Sequence, residues 1–227
     1  MSHYGDFALP TCDGRALPAF CSGLAIVSRF PFIEKKFYEF SYHGDVLKPD
    51  MEYWARKGAG LARISPLSNL VVDVFVTHTC AVGSDYTNSY YREHQVEELV
   101  GWVNSSDADF VILGGDFNTS PTDNETSYHN LKTAMISSME EFFLDIKEWL
   151  VPSKSTYGNP RNSYSSIYQP VLYDYIWHKA RGWNMIWTNL FEVSGGKCFE
   201  MFWRKNISVE KFEVFLFHCK CVCRCPG

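Results

Sequence analysis

The sequence predicts a layered α/β domain in which a β-sheet lies buried beneath helices. Strand-like apolar runs and helical patterns alternate along the chain, which is the order that α/β domains show. Some of the predicted strands are apolar throughout, as expected where both faces of a sheet are covered. The 227 residues, 46% of them hydrophobic and 16% aromatic, are enough to build the core of about one domain.

Strands make up the first part of the predicted domain. A run over 20–31 begins near a Ser-Gly turn and ends at Pro31, and an alternating run over 35–45 follows it. Residues 58–79 are predicted to form a hairpin, because two strand-like runs flank a turn of Pro, Ser and Asn residues around 66–69. The second strand of this hairpin delivers His78.

Helices and strands alternate in the rest of the domain. Val96, Leu99, Val100 and Val103 recur at the spacing of one helix face, so the sequence predicts an amphipathic helix over 88–106. The pattern then predicts a strand beginning at Phe110, a second helix over 126–143 and a late strand over 170–180, in the order given.

The charge and the distribution of apolar residues argue against a nucleic-acid-binding, a secreted and a transmembrane protein. The formal net charge is −5, so nucleic acid is not an expected partner. The first twenty residues have neither the basic start nor the apolar segment of a signal peptide, and no window of 18 apolar residues occurs. The chain is therefore predicted to be soluble, without a signal peptide or a transmembrane span.

The cysteines divide the chain in two. Cys12, Cys21 and Cys80 are scattered singly, as in proteins of a reducing compartment. Most of the others crowd the C-terminus in a C-x-C-x-C-x-C run, which lacks the second, distant pair of a common zinc site. The pattern favours a terminal extension over a metal site. The C-terminal group consists of Cys198, Cys219, Cys221, Cys223 and Cys225.

Four polar residues interrupt apolar strands or follow them directly. Asp116 ends a strand, Asn118 stands two residues later, His78 ends another strand, and Asp174 lies within a third. A buried carboxylate needs a cation, a metal or hydrogen bonds, although any one of these residues alone would more often be a loop cap or a satisfied core residue. Together they predict a functional site at the strand ends.

The segments that contain these residues resemble the endonuclease/exonuclease/phosphatase (DNase I-like) superfamily of metal-dependent phosphodiesterases. "FVTHTCA", "YYREHQVEELVGW", "VILGGDFNTSP" and "YDYIWHKA" occur in the order and approximate spacing of that superfamily. "CSGLAIVSRFP", "ARKGAGLARI" and the helix with Tyr, Arg and Gln favour its neutral sphingomyelinase branch. The resemblance covers roughly residues 20–193 and implies a DNase I-like α/β sandwich.

The resemblance also implies a role for each candidate residue in the hydrolysis of sphingomyelin to ceramide and phosphocholine. Asp116 would orient or deprotonate the attacking water, Asn118 would donate amide hydrogens, and His78 would bind a phosphate oxygen. Asp174 would orient a catalytic histidine. Lys57 would meet the lipid phosphate or an acidic partner, either Glu52 or Asp50. The family is intracellular and membrane-associated, so the implied partner is a choline phospholipid at a membrane surface.

Departures from the family pattern limit what the resemblance implies. The family uses Mg²⁺ held by an early glutamate, but the first glutamate here is Glu34, already inside the matched region. The closing Ser-Asp-His motif is also absent, because Asp-His occurs nowhere in the chain. We therefore expect a catalytic domain over 1–193 that is incomplete at both ends, a divergent Cys-rich tail over 194–227, and impaired activity. A catalytically inactive lipid- or partner-binding domain and a nuclease are the alternatives.

Overall fold

The fold of the chain is given by a computed structural model. The residues that the structure describes are 6–7, 22, 24–28, 30–45, 47, 52–81, 86–120, 126, 128–129, 173–180, 184–193, 196–205 and 208–218. Within these ranges the backbone forms ten strands, arranged in two sheets, and the helix α1, Tyr86–Asn104. The predicted helix at 126–143 lies almost entirely outside the described residues.

One sheet, here called the central sheet, contains five strands in the spatial order β3-β4-β5-β6-β7. Strands β5 and β6 are parallel, and α1 is the crossover between them, while the other neighbours pair antiparallel. A short 3₁₀ turn at Glu52–Ala55 precedes β4. The strands of the central sheet are β3 (Phe32–Glu39), β4 (Gly58–Leu67), β5 (Leu70–His78), β6 (Phe110–Asp116) and β7 (Asp174–Ala180).

The second sheet, here called the outer sheet, is antiparallel throughout. Its five strands follow the spatial order β1-β2-β10-β9-β8, so β10 joins the N-terminal strands to the C-terminal ones. The sequence predicted a separate tail from residue 194, whereas the structure places most of 196–218 in this sheet. The strands are β1 (Asp6–Phe7), β2 (Leu24–Ser28), β8 (Asn184–Val193), β9 (Gly196–Lys205) and β10 (Ser208–His218).

Alternating side chains of β5 fill two apolar layers. Val72, Val74 and Val76 pack with Leu24 and Ile26 of the outer sheet. Phe75, on the opposite face, packs against the helix, whose Val96, Leu99, Val100 and Val103 are all buried. The predicted helix face is therefore confirmed, and the strand is apolar because both of its faces are covered. The molecule is an α/β sandwich whose central sheet lies between the outer sheet and α1.

The described helix does not have the composition of a membrane span. Among the residues that the structure describes, no helix is long and apolar enough to cross a bilayer.

Candidate active site

The ends of three neighbouring strands bring together residues that are far apart in sequence. In the parallel pairing of β5 with β6, His78 stands opposite Asp116, and in the antiparallel pairing of β6 with β7, Asp116 stands opposite Asp174. Adjacent strands lie about 4.8 Å apart, so these three backbones form one row along the edge of the sheet. The structure describes the backbone of Asp174 but not its side chain, and Asp174 begins β7 instead of lying inside it.

The turn after β6 holds Asp116 and Asn118 in a defined geometry. The Asn118 backbone N–H donates to Asp116 Oδ1 at 3.0 Å, and the Asn118 side chain donates from Nδ2 to the Thr79 carbonyl at 3.1 Å. Asn118 has φ 47°, in the left-handed region that asparagine tolerates better than most residues. Both side chains are buried, so the carboxylate and the amide cannot rotate freely.

Thr79, the residue after His78, ties the ends of β5 and β6 together. Its backbone N–H donates to the Asp116 carbonyl at 3.1 Å, and its hydroxyl donates to the Phe117 carbonyl at 2.7 Å. Its own carbonyl accepts from Asn118. All of these groups are buried, where an unmade hydrogen bond is expensive. The sequence analysis assigned no role in the site to Thr79, although its position directly after the candidate histidine and within the family motif could have indicated one.

Lys57 is only 3% exposed and lies behind this turn. Its ammonium donates to the Thr79 carbonyl at 3.1 Å and lies 3.3 Å from Glu52 Oε2. The same glutamate oxygen accepts from the backbone N–H of Ala81 at 2.9 Å. Lys57 and Asn118 therefore share one carbonyl acceptor. Of the two acidic partners considered for Lys57, the structure shows Glu52, while Asp50 lies outside the described residues.

The helix supports the loop that follows His78. Gln95 accepts from the Cys80 N–H at 2.8 Å and donates to the Tyr42 carbonyl at 2.8 Å. The buried Arg92 donates to the carbonyls of Cys80 and Ala81 at 3.0 and 3.1 Å. These contacts give a structural role to the Arg and Gln that marked this helix in the sequence.

Cys80 is buried inside this network, and its thiol has low reactivity. Burial, followed by the negative charge of Glu52, raises the pKa of the Cys80 thiol to about 12. At neutral pH the group is therefore mostly a thiol, which is a poor nucleophile. Among the described residues, the polar groups at the strand ends are better candidates for chemistry.

The described side chains do not form a complete metal site. A carboxylate oxygen of Asp116 suits Mg²⁺, which prefers oxygen ligands in octahedral geometry. However, no group of three or more His, Cys, Asp or Glu side chains that could hold an ion occurs among the described residues. The arrangement supplies a fixed carboxylate, an oriented amide and a histidine at one edge of the sheet, which together suit attack on a phosphate ester.

The family model described as "Endonuclease/Exonuclease/phosphatase family" matches residues 10–208. The chain belongs to this family. The matched region includes all five predicted site residues. This chain is therefore a phosphodiesterase- or nuclease-like member of the family. A comparison with curated proteins found no match.

Solved structures of the family have the same fold at low sequence identity. An endonuclease/exonuclease/phosphatase from Beutenbergia cavernae matches with TM-score 0.52 and 14% identity, over 86% of this chain and 47% of its own. Sphingomyelinase C from Streptomyces griseocarneus matches with TM-score 0.50 and 15% identity, over 87% and 68%. A Staphylococcus aureus beta toxin mutant with bound magnesium ions matches with TM-score 0.50 and 15% identity, over 85% and 67%.

Proposed function

We propose that this chain hydrolyses phosphodiesters and that its substrate is sphingomyelin, which it would cleave to ceramide and phosphocholine. The observation that carries the reaction class is the row of His78, Asp116 and Asp174 across three adjacent strand ends, with Asn118 fixed beside it. The choice of sphingomyelin is supported by the segments around Lys57 and α1 and by the shared fold with sphingomyelinase C.

In the proposed reaction, Asp116 accepts a proton from water as the water oxygen attacks phosphorus. The bond between phosphorus and the ceramide oxygen breaks, and that oxygen takes a proton from a water molecule to leave as the ceramide hydroxyl. Asp116 then returns the proton it accepted to the solvent. His78 would donate a hydrogen bond to a non-bridging phosphate oxygen. Asn118 has two amide hydrogens on Nδ2, and because Thr79 accepts one of them, the other can serve the phosphate.

Lys57 would support this reaction from behind the turn. Its ammonium and the Asn118 amide bind the same Thr79 carbonyl, so its charge-assisted hydrogen bond helps to hold in place the acceptor that orients the amide. A direct contact between Lys57 and the lipid phosphate stays a prediction, and it would require the ammonium to leave the Thr79 carbonyl. Asp174 would orient a histidine, as the family resemblance implies.

The proposed cofactor is Mg²⁺, in keeping with the magnesium ions bound to the Staphylococcus aureus beta toxin mutant. The ion would supply positive charge to the phosphate oxygens. Asp116 is a suitable oxygen ligand, but the described side chains do not complete a site, so none of the steps above is assigned to the ion. Magnesium dependence is tested by comparing hydrolysis in Mg²⁺ with hydrolysis in a chelator.

The decisive experiment compares substrates and variants. Phosphocholine release from sphingomyelin should be faster than incision of abasic DNA or hydrolysis of inositol phosphates. Asp116→Asn keeps the size of the side chain but removes the base, so it should lower the rate by roughly 10²- to 10⁴-fold. Asp107→Asn, at the exposed opposite end of the sheet, is the matched control and should be neutral. Preferential incision of DNA would overturn the assignment of sphingomyelin as the substrate and indicate that the protein is a nuclease.

A catalytically inactive lipid- or partner-binding domain is the second candidate. The observation that favours it is the departure from the family's closing motif, because Asp-His occurs nowhere in the sequence. Parent and Asp116→Asn proteins with equal, background rates would support this candidate. A clear loss of activity in Asp116→Asn would exclude it.

A further inference from the structure

An exposed aromatic surface lies beside the candidate active site. We call it the aromatic patch and define it as Tyr42, His43, Tyr53, Tyr90 and His94. The Tyr42 ring stacks on His94 with centroids 4.2 Å apart, and Tyr90 lies 4.6 Å from His94 and 6.2 Å from Tyr42. His43 and Tyr53 are 6.0 Å apart. The three tyrosines are 36–42% exposed, so each ring combines a packed side with a side open to solvent.

Most of the large, exposed hydrophobic side chains that the structure describes lie in the aromatic patch or in its loop. Large exposed hydrophobic residues occur at Ile33, Tyr42, Leu47, Tyr53 and Tyr90. All except Ile33 belong to the patch or, in the case of Leu47, to the loop that carries Tyr42 and His43. Single exposed apolar residues need no explanation, but two ring clusters linked by the consecutive residues Tyr42 and His43 indicate an interaction surface.

Hydrogen bonds join the patch to the end of the sheet where the candidate site lies. The Tyr42 carbonyl accepts from Gln95, and Gln95 accepts from the N–H of Cys80, two residues after His78. The Phe40 N–H donates to the Lys57 carbonyl at 3.0 Å, which holds the same loop against the residue behind Asn118. A surface that binds the patch would therefore meet the protein at the edge that carries Asp116 and His78.

The charges around the patch indicate what kind of surface it fits. Asp45, Glu93 and Glu97 lie on the same loop and helix, whereas the guanidinium of Arg92 is buried against backbone carbonyls. The ammonium of Lys57 is buried beside Glu52. An anionic membrane attracts exposed lysine and arginine. Arg56, which follows Tyr53 by three residues, is partly exposed, but its charge is paired with that of Glu39 at 2.7 Å. Tyrosine and histidine rings suit the polar–apolar boundary of a bilayer, and aromatic faces attract quaternary ammonium groups.

We propose that the aromatic patch docks the protein on a zwitterionic bilayer of choline phospholipids. This proposal rests on the proposed function, because it names the surface from which the site would take its substrate. The tyrosine rings lie at the headgroup level, where their faces contact choline and their hydroxyls remain hydrated. The acidic side chains nearby make phosphatidylserine a poorer partner than phosphatidylcholine.

Vesicle sedimentation tests the docking surface without any turnover. The full chain is mixed, in a chelator, with phosphatidylcholine vesicles that contain or lack a minor fraction of phosphatidylserine. The parent should bind phosphatidylcholine, and phosphatidylserine should not strengthen binding. The combined variant Tyr42→Ser/Tyr53→Ser/Tyr90→Ser should bind roughly tenfold or more weakly, because each exposed ring contributes apolar area. Matching urea midpoints would show that the variant is folded.

Ile33→Ser is the matched control, because Ile33 is 61% exposed but lies at the opposite end of β3, next to Phe32, which pairs with Ile64. It should bind vesicles as the parent does. Failure of the parent to bind phosphatidylcholine, equal binding by the triple variant, or clear strengthening by phosphatidylserine would overturn the proposal.

Hydrolysis of a soluble phosphodiester separates this proposal from the proposed function. Vesicle binding through the patch without any diester hydrolysis would leave the docking surface standing and reject the enzymatic function. Diester hydrolysis without vesicle binding would support the enzymatic function and reject the docking surface.

Discussion

Asn118 combines a rare backbone conformation with a buried side-chain hydrogen bond. Its φ of 47° is unfavourable for residues with a Cβ, and its amide is bound to the Thr79 carbonyl. A backbone held this way by several contacts is typical of functional sites, where geometry is kept at some expense of stability. Stability and activity should therefore respond differently to substitutions at this residue.

Asn118→Ala should destabilise the protein by about 2 kcal/mol, because it loses a hydrogen bond and keeps a strained φ. Asn118→Gly loses the same bond but relieves the strain, so it should be about 1 kcal/mol more stable than the alanine variant. Both should lose phosphodiesterase activity to the same extent, roughly 10²-fold, since both lack the amide. Urea unfolding and rate measurements check this, and equal stabilities would contradict the strain argument.

The pair of Lys57 and Glu52 differs from surface ion pairs in its burial. Glu52→Gln removes the carboxylate beside an almost fully buried ammonium, so we expect a loss of about 3–5 kcal/mol in unfolding free energy. Lys57→Met combined with Glu52→Gln should recover part of this loss, because the buried charge is gone. Urea unfolding of the parent, both single variants and the double variant gives the coupling energy.

Arg56 and Glu39 provide the matched control for this cycle. Their atoms are closer, at 2.7 Å, but both side chains are substantially solvated. The coupling energy of Arg56→Gln and Glu39→Gln should therefore be below about 1 kcal/mol. A coupling as large as that of Lys57 and Glu52 would show that burial is not the reason for the difference.

At the scale of elements, the parallel pairing of β5 with β6 places the site. Gly115 stands opposite Thr77 in this pairing and has φ 152°, and a Cβ built there would collide with the Thr77 carbonyl. Only glycine allows the two backbones to approach this closely one residue before Asp116. The glycine is therefore part of what sets the distance between His78 and Asp116.

Gly115→Ala should destabilise the domain by about 2 kcal/mol or more and reduce activity, because β5 and β6 must move apart at the site. Gly101→Ala is the control. That glycine is on the exposed face of α1, and a Cβ there would meet nothing within 4 Å, so alanine should stabilise by up to about 1 kcal/mol. Thermal unfolding measures both effects, and a neutral Gly115→Ala would contradict the close approach.

At the scale of the whole molecule, β10 completes the outer sheet. It pairs with β2 on one side and with β9 on the other, so it connects segments from the two ends of the chain. Leu24 and Ile26 of β2 in turn pack on Val72, Val74 and Val76 of the central sheet. The outer sheet therefore supports the strands that carry the site.

A chain that ends at Lys205 lacks β10, so we expect it to lose cooperative unfolding and to expose the unpaired backbone edges of β2 and β9. A chain that ends at His218 keeps every strand of the outer sheet and should unfold as the parent does. Urea unfolding followed by tryptophan fluorescence compares the three proteins. If the shorter chain unfolds cooperatively with an unchanged midpoint, the result would contradict this expectation and support the separate tail that the sequence predicted.

Local patterns were sufficient to predict much of the central sheet and its helix. The buried helix face was predicted from the spacing of Val96, Leu99, Val100 and Val103, because helical periodicity can be recognised within a short segment of sequence. The ends of β5 and β6 were likewise predicted at His78 and Asp116. Family membership followed from motifs that include these residues, and the family match supports it.

Long-range pairing decided the rest. The sequence did not predict that β10 would pair with β2, because strand partners separated by nearly two hundred residues cannot be recognised from local patterns. An acidic residue within an apolar strand was likewise not enough to predict a functional site. Asp73 also interrupts an apolar strand, yet Arg63 binds it at 2.7 and 2.8 Å and Ser106 at 2.6 Å, so it is satisfied at the opposite end of β5. The sequence by itself determined which residues are polar within apolar strands. Only the tertiary structure decided which of them meet at one edge, because strand order and register set those distances.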